Sequence, residues 1–355
     1  MRFIGFSPMF TVTKTFYPVG QGGFYSERIA CNGDVKTIVY DCGSVIGKTK
    51  NGPTPELKKC IANSGLGKVD FLVVSHLDED HINGIPVLET YLKQNSSKQP
   101  ILLIPKPTPF DKVLLFKNAR EDSVLWYLDA AAQGRIIFIT DEIIVDYTDD
   151  PIILESSVSG STFSHTKDFA PFRKMNGKIP WLLKFYVHRN KYKGKLQRDD
   201  ENLIDSIKTI DDFKQNKDDL KNIYDKVKYN QNGSSMSMAS LPFYAKDNMR
   251  DSFATWLNGD ARLKTRKEMS AIELHFSCLD GLDVDFQVPH HGSHLNIQHL
   301  PNNVNDVRTY IWAGFDNQYG HPSGTVLNMI RAANKPYSLI TEKTVLPIVI
   351  HETWF

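Results

Sequence analysis

Apolar and polar positions along this chain recur with two different periods, and the switches between them outline its elements. Residues 11–16 and 29–41 read as opening strands, 55–64 as a helix, and 69–74 as a buried strand built on Phe71-Leu72-Val73-Val74. A short buried strand at 101–104, a helix at 112–132 and one or two strands at 135–147 follow. Residues 181–189 read as a strand. Beyond it, Ile204, Ile207, Ile210, Phe213, Leu220, Ile223 and Val227 recur at spacings that predict one or two amphipathic helices. Residues 235–244 and 252–257 read as consecutive strands of a second sheet. At 283–288 polar and apolar residues alternate, with Val284, Phe286 and Val288 on one side, the pattern of a half-buried strand. A strand at 309–315, a helix at 323–333 and a strand-rich stretch at 339–355 complete an α/β pattern. Periodicity alone leaves several layered α/β architectures open.

The candidate chemistry sits where the apolar run 71–74 ends. Ser75-His76-Leu77-Asp78-Glu79-Asp80-His81 places His76, Asp78, Asp80 and His81 on one short loop. Imidazole and carboxylate at such close spacing let a single loop supply several ligands to a divalent cation. Most charged clusters are solvated turns, but this one lies at the end of a buried strand, where sites are commonly built.

The loop resembles the His-x-His-x-Asp-His hallmark of the metallo-β-lactamase superfamily, with Asp78 in place of the second His. That form is similar to the hydrolase domain of the competence protein ComEC and its soluble relatives. Further stretches agree in the same order: Val19-Gly20-Gln21-Gly22, Val39-Tyr40-Asp41-Cys42-Gly43, Leu257-Asn258-Gly259-Asp260, Val288-Pro289-His290-His291-Gly292-Ser293 and Asn317-Gln318-Tyr319-Gly320-His321-Pro322. The resemblance implies an αββα sandwich, two mixed sheets flanked by helices, as a single domain over residues 1–355. No motif falls between 105 and 229, and residues 151–230 are expected to form an insertion or elaboration at the rim of the site. The chain departs from the pattern at Pro18 and Gly23, where the subfamily usually has Asp. The superfamily's middle His ligand also has no counterpart; His165 and His188 lie in that interval and read as surface residues, as do His294 and His299. An Asn/Ser-rich stretch at 230–235 resembles what the ComEC-like group carries there.

The resemblance also implies a ligand set for two divalent metal ions, zinc or manganese. His76 and Asp78 would serve one ion, Asp80 and His81 the other, with Asp260 bridging and His290 and His321 closing the shells. Asp78 makes the set richer in oxygen, which favours harder cations than zinc. A hydroxide between the ions would be the nucleophile, Asp80 would belong to the catalytic set, and His291 or His321 would protonate the leaving group. Amides at Gly292-Ser293 would meet an oxyanion or phosphate. The implied activity is that of a phosphodiesterase or nuclease. Hydrolysis of esters, lactones or amides on the same fold is the alternative, as is a metal-binding regulatory subunit of a multi-protein system.

Composition alters this picture little. The chain has 355 residues, 41% hydrophobic and 23% charged, enough to bury a large core. Its formal net charge of +1 gives no global field for nucleic acid. Locally, the aromatic-rich strand 181–189 is followed by Lys191, Lys193, Lys195 and Arg198, which could hold a nucleic acid or nucleotide substrate. The same lysines suit an ordinary sheet edge, where they discourage aggregation, and the middle segment could equally dock a protein partner. No apolar run approaches the roughly 20 residues of a membrane span, and Met1-Arg2-Phe3-Ile4-Gly5 is not followed by a signal-peptide core. A cytoplasmic protein with no membrane partner is expected. The cysteines, Cys31, Cys42, Cys60 and Cys278, show no metal or disulfide spacing, so reduced thiols are expected.

Overall fold

The computed structural model describes residues 10–45, 53–95, 98–142, 150–154, 160–174, 180–189, 196–227, 233–243 and 253–354. Among these the strands are β1 (Phe10–Phe16), β2 (Gln21–Cys31), β3 (Asp34–Val45), β4 (Phe71–Val73), β5 (Ile101–Pro105), β6 (Ile136–Thr140), β7 (Ile152–Ile153), β8 (Thr162–Ser164), β9 (Asp168–Ala170), β10 (Trp181–His188), β11 (Ser235–Pro242), β12 (Phe253–Leu257), β13 (Asp283–Gln287), β14 (Asp306–Trp312), β15 (Tyr337–Ile340) and β16 (Ile348–Trp354). The helices are α1 (Pro55–Asn63), α2 (Glu79–Ile82), α3 (Ile85–Asn95), α4 (Pro109–Asn118), α5 (Glu121–Ala132), α6 (Arg198–Ser206), α7 (Ile210–Gln215), α8 (Lys217–Val227), α9 (Arg266–His275) and α10 (Gly324–Ala332).

The strands form two mixed sheets of eight, ordered β16-β1-β2-β3-β4-β5-β6-β8 and β15-β14-β13-β12-β11-β10-β9-β7. In each, an antiparallel half adjoins a parallel half: β3 to β8 run parallel in the first sheet and β12 to β15 in the second. The sheets face each other across a core where Phe16 stacks on Tyr310 at 4.0 Å, the Tyr40 hydroxyl donates to the Met236 carbonyl, and Tyr25 meets Thr255. Helices lie outside, with Leu57 and Ile61 of α1, Leu88 and Leu92 of α3, and Met269 and Ile272 of α9 buried. This is the αββα sandwich. No described helix is long and apolar enough to cross a membrane.

Three expectations are corrected. The stretch 29–41 is not one strand: it turns at Asn32 and Gly33, both at positive φ, into the β2–β3 hairpin. Asn-Gly is the pair that such a turn favours, because both central residues must adopt the left-handed region. The helix expected over 112–132 is two, α4 and α5, parted at Ala119 and Arg120 in extended conformation. The break frees the Arg120 amide to donate to the Glu79 carboxylate at 3.0 Å. Strand β13 is buried on both faces rather than one. Its Asp285 faces the other sheet, where Lys14 of β1 reaches it at 2.8 Å, and Arg308 of β14 binds it at 2.7 and 2.9 Å. Glu352 of β16 joins both cations, so a paired network keeps these buried charges compensated.

Within 151–230, β7, β9 and β10 extend the second sheet and β8 the first. Helices α6 and α8 pack on α4, and α7 on α5. All four cysteines are free thiols.

Candidate metal centre

The ligand loop follows β4, which is wholly buried and delivers Ser75 and His76 into the interior. Four residues are too few for a helix to hold itself together, so α2 is fixed by its neighbours. A Cβ on Gly43 would come within 2.4 Å of the Asp80 carbonyl oxygen and 2.5 Å of the His81 nitrogen. Only glycine there lets α2 sit directly on β3. The Asn83 side chain accepts from Ser44 N at 3.0 Å and donates to Ser44 O at 2.6 Å, and Gly84 N donates to Cys42 O at 2.9 Å.

Asp41, within β3 at a φ of 55°, organises both histidines of the loop. Its carboxylate accepts from Ser75 N and from Ser75 Oγ, each at 2.7 Å, and from His81 Nδ1 at 2.8 Å. The Ser75 hydroxyl proton is thereby committed to Asp41, so its oxygen accepts from His76 Nδ1, 2.9 Å away. Both imidazoles thus engage Nδ1 and turn Nε2 toward the site, where its lone pair is open to a proton or a cation.

What those lone pairs meet is decisive. His76 Nε2 lies 3.6 Å from Asp78 Oδ2 and 3.6 Å from Asp260 Oδ2. His81 Nε2 lies 3.4 Å from Asp260 Oδ1 and 3.9 Å from Asp80 Oδ2. Neither Nε2 makes a hydrogen bond. His291 differs in one respect: Nδ1 donates to the Trp312 carbonyl at 3.0 Å, and Nε2 is within hydrogen-bond distance of Asp80 Oδ2, at 3.1 Å. Lone pairs aimed at carboxylate oxygens in a buried site repel unless a proton or a cation lies between them. Ligands about 2.1 Å from a tetrahedral ion are about 3.4 Å from one another, the spacing found here. Among the described residues, two groups of donor atoms converge within 4.8 Å: His76, His81 and Asp260, and Asp80, His81 and His291.

Every ligand-bearing loop follows the carboxyl end of a strand in a parallel stretch, β4 for the first motif, β12 for Asp260, β13 for His290 and His291, and β14 for His321. Open α/β sheets build their sites at that end. His290, His291 and Gly292 are three consecutive left-handed residues, at φ of 48°, 55° and 79°. That conformation is costly for histidine. It is held by His290 N donating to Gly259 O and Ser323 N donating to Gly292 O, both at 3.0 Å.

Burial and neighbouring charge set the ionisation of the cluster. For His76 and His81 burial disfavours the cation, yet the facing carboxylates outweigh it and raise both above the ordinary imidazole value, His81 strongly. For Asp80 and Asp260 burial pushes upward, and the surrounding histidines overcome it and hold both carboxyls low. His321 is lowered to about 4 by burial and by His291 and His290. His290 is also lowered, burial outweighing its Asp260 partner.

The structure thus gathers His76, Asp78, Asp80, His81, Asp260, His290, His291 and His321 into one cluster. Its grouping differs from the pairing read in the sequence, since His81 belongs to both sets and His291 stands with Asp80. His290 places Nδ1 3.1 Å from Asp260 Oδ2. His321 lies outside both groups, its ring 5.5 Å from His290 and 6.3 Å from His291, with Nδ1 free of hydrogen bonds. Asp41 and Ser75 were missed as functional positions; the Asp-Cys-Gly turn was visible, but nothing local said which histidine its carboxylate would meet.

His165 and His188 are not ordinary surface residues. With Tyr186 and His275 they form a ring cluster at centroid spacings of 4.7–5.1 Å. Burial, then the neighbouring histidines, lowers His188 to about 3 and His275 to about 4. His294 is exposed and His299 half-buried. Of the basic stretch, Lys191, Lys193 and Lys195 lie outside the described residues. Arg189 is engaged by Asp141 at 2.7 Å and by Lys106 O at 2.7 Å, and Lys184 by Asp168 at 3.2 Å.

No family model matches the sequence, and no curated protein matches it. Solved structures do. The metallo-β-lactamase-fold protein YhfI from Bacillus subtilis is 8% identical over 97% of this chain and 100% of its own, with a TM-score of 0.43. Unliganded PDE1 from yeast is 10% identical over 94% of this chain and 97% of its own, with a TM-score of 0.40. A long form of RNase Z from yeast is 10% identical over 86% of this chain but only 36% of its own, with a TM-score of 0.36. At such low values the chemistry of the site rests on its own geometry.

Proposed function

We propose that the chain is a metal-dependent hydrolase, and that its substrates are phosphodiesters, in nucleotides or nucleic acid. The observation that carries the metal reading is the pair of buried Nε2 atoms on His76 and His81 that make no hydrogen bond and face Asp78, Asp80 and Asp260, with His291 Nε2 beside Asp80. His76, His81 and Asp260 would hold one cation and Asp80 and His291 help hold a second, the single Nε2 lone pair of His81 serving only one of them, with Asp78 and His290 at the flanks. When bound, such cations supply an activated water and stabilise charge on the attacked centre.

The protein's own groups do the rest. Asp41 fixes the tautomer of His81 directly and that of His76 through Ser75, so that no reorganisation precedes binding. His321 is uncharged at neutral pH and keeps Nδ1 unengaged, which suits it to take a proton and return it to the leaving oxygen. His291 has both nitrogens committed and is the poorer candidate for that role. The phosphodiester preference is supported by the ComEC-like motifs and by a donor set with three carboxylates, which suits manganese as well as zinc. Helices α6–α8, standing on α4 and α5, would shape one wall of the approach to the site.

The test is a screen of metal-reconstituted protein against single-stranded DNA, duplex DNA, RNA, cyclic nucleotides and small carboxylic esters. Phosphodiester turnover that is lost in Asp80→Ala and Asp260→Ala, with the fold retained by circular dichroism, is the expected result. Turnover of the carboxylic esters alone would replace the phosphodiester reading.

A further inference from the structure

We propose that Tyr319 is a stacking subsite for the base of a nucleotide substrate, a reading that rests on the phosphodiesterase function proposed above. Its ring stands beside the reacting centre: the Tyr319 and His321 centroids are 6.0 Å apart at 27°, and His321 in turn lies 5.5 Å from His290. Yet Tyr319 is 50% exposed. Beyond that ring contact, Tyr319 is held through its backbone amide, which donates to Asn317 Oδ1 at 3.2 Å. A large ring placed at the mouth of a polar site without burying itself contributes little to the core, and is the kind of exposed apolar feature that marks recognition.

The loop holding it is built to keep it there. Asn317 Nδ2 donates to the carbonyls of Gly314 and His321, while Asn317 Oδ1 accepts from the amides of Tyr319 and His321. One side chain thus ties both ends of the turn. The same loop presents Phe315, 58% exposed, with the Lys343 ammonium 3.4 Å from its ring centroid and 3.6 Å from the Asp316 carboxylate in an exposed pair that a phosphate could compete for. Leu295, 57% exposed, follows the His290–Gly292 turn. Half-exposed rings with a cation at hand form the combination that holds unpaired bases and their phosphates.

The experiment compares two substrates of the metal-loaded full chain, the p-nitrophenyl ester of thymidine 5′-phosphate and methyl p-nitrophenyl phosphate, which has no base. Alongside it, equilibrium dialysis measures binding of thymidine 5′-phosphate and of deoxyribose 5-phosphate. We expect the base to lower KM, and Tyr319→Ala to raise KM for the thymidine ester by roughly tenfold, the loss of one stacked base, so that the KM ratio of the two substrates collapses while the ratio of their kcat values holds. Tyr319→Trp should keep the base preference. A KM ratio that survives Tyr319→Ala, or equal losses on both esters, would overturn the subsite and leave the hydrolase reading standing. If wild-type protein hydrolyses neither ester, the phosphodiesterase reading falls, and dialysis still decides the subsite: a preference for the base-bearing phosphate that disappears in Tyr319→Ala supports it, and no preference overturns it.

Discussion

At the scale of single residues, Asp41 is the least conspicuous and most consequential position in the site. It binds no candidate cation directly, yet its carboxylate fixes the proton on His81 and, through Ser75, on His76. Asp41→Asn keeps the size and much of the packing but replaces one acceptor oxygen with a donor, so at least one histidine must rotate or change tautomer. Metal affinity should fall about 10- to 100-fold, the usual effect of losing an orienting partner, with little change in thermal midpoint for the metal-free protein. Metal titration followed by calorimetry checks it; unchanged affinity would mean that the loop holds its histidines without Asp41. Glu27 gives a second prediction at this scale. Burial raises its carboxyl to about 7 against Lys14, which pulls it down. The folded state therefore keeps a proton that the unfolded chain has released above about pH 4.5. Stability contributed by that proton is present at low pH and is lost as pH rises from about 4.5 to about 7, by up to about 3 kcal/mol. Urea midpoints at pH 5 and pH 7.5 should differ less in Glu27→Gln than in wild type. Parallel pH profiles for the two proteins would remove Glu27 as the cause.

Elements show which parts of this molecule could be read from sequence. Strands of uniform apolar character, such as β4 and β5, and helices with caps, such as α1 and α10, were legible because local pattern and tertiary role agree there. The turn at Asn32-Gly33 was also written locally, but it was overrun by the apolar residues on either side. The α4–α5 break and the buried faces of β13 were not legible. Arg120 leaves the helical path to meet Glu79, 41 residues earlier, and Asp285 looks like a solvent-facing residue until Lys14 arrives from the other sheet. The candidate site divides in the same way. Its ligands were visible because metal chemistry demands particular side chains at short spacing. Their grouping was not, because His291 reaches Asp80 across 211 positions of chain. The basic stretch after β10 supplies a prediction from sequence alone. If Lys191, Lys193 and Lys195 hold a nucleic-acid backbone, reversing all three charges should weaken binding and reduce its salt slope by about one unit per lost contact. An unchanged slope on DNA and RNA would remove the stretch from the substrate path.

For the molecule as a whole, the site is a joint between the two sheets. His76, Asp80 and His81 come from the loop after β4 in one sheet, while Asp260 and His291 follow β12 and β13 in the other. Any cation shared by these groups links loops of both sheets, and the unfolded chain cannot reproduce that geometry. Binding free energy then becomes folding free energy. At a free metal concentration near a thousand times the dissociation constant, each occupied site should add about 4 kcal/mol to the folded state. Elemental analysis of metal-saturated protein should return two cations per chain, and a chelator should lower the thermal midpoint reversibly. Asp260→Asn weakens the one carboxylate whose two oxygens face His76 and His81. In that variant the metal-dependent part of the midpoint should shrink while the metal-free midpoint stays near that of wild type. A wild-type midpoint indifferent to zinc and manganese, together with no retained metal, would sink both the joint and the hydrolase built on it.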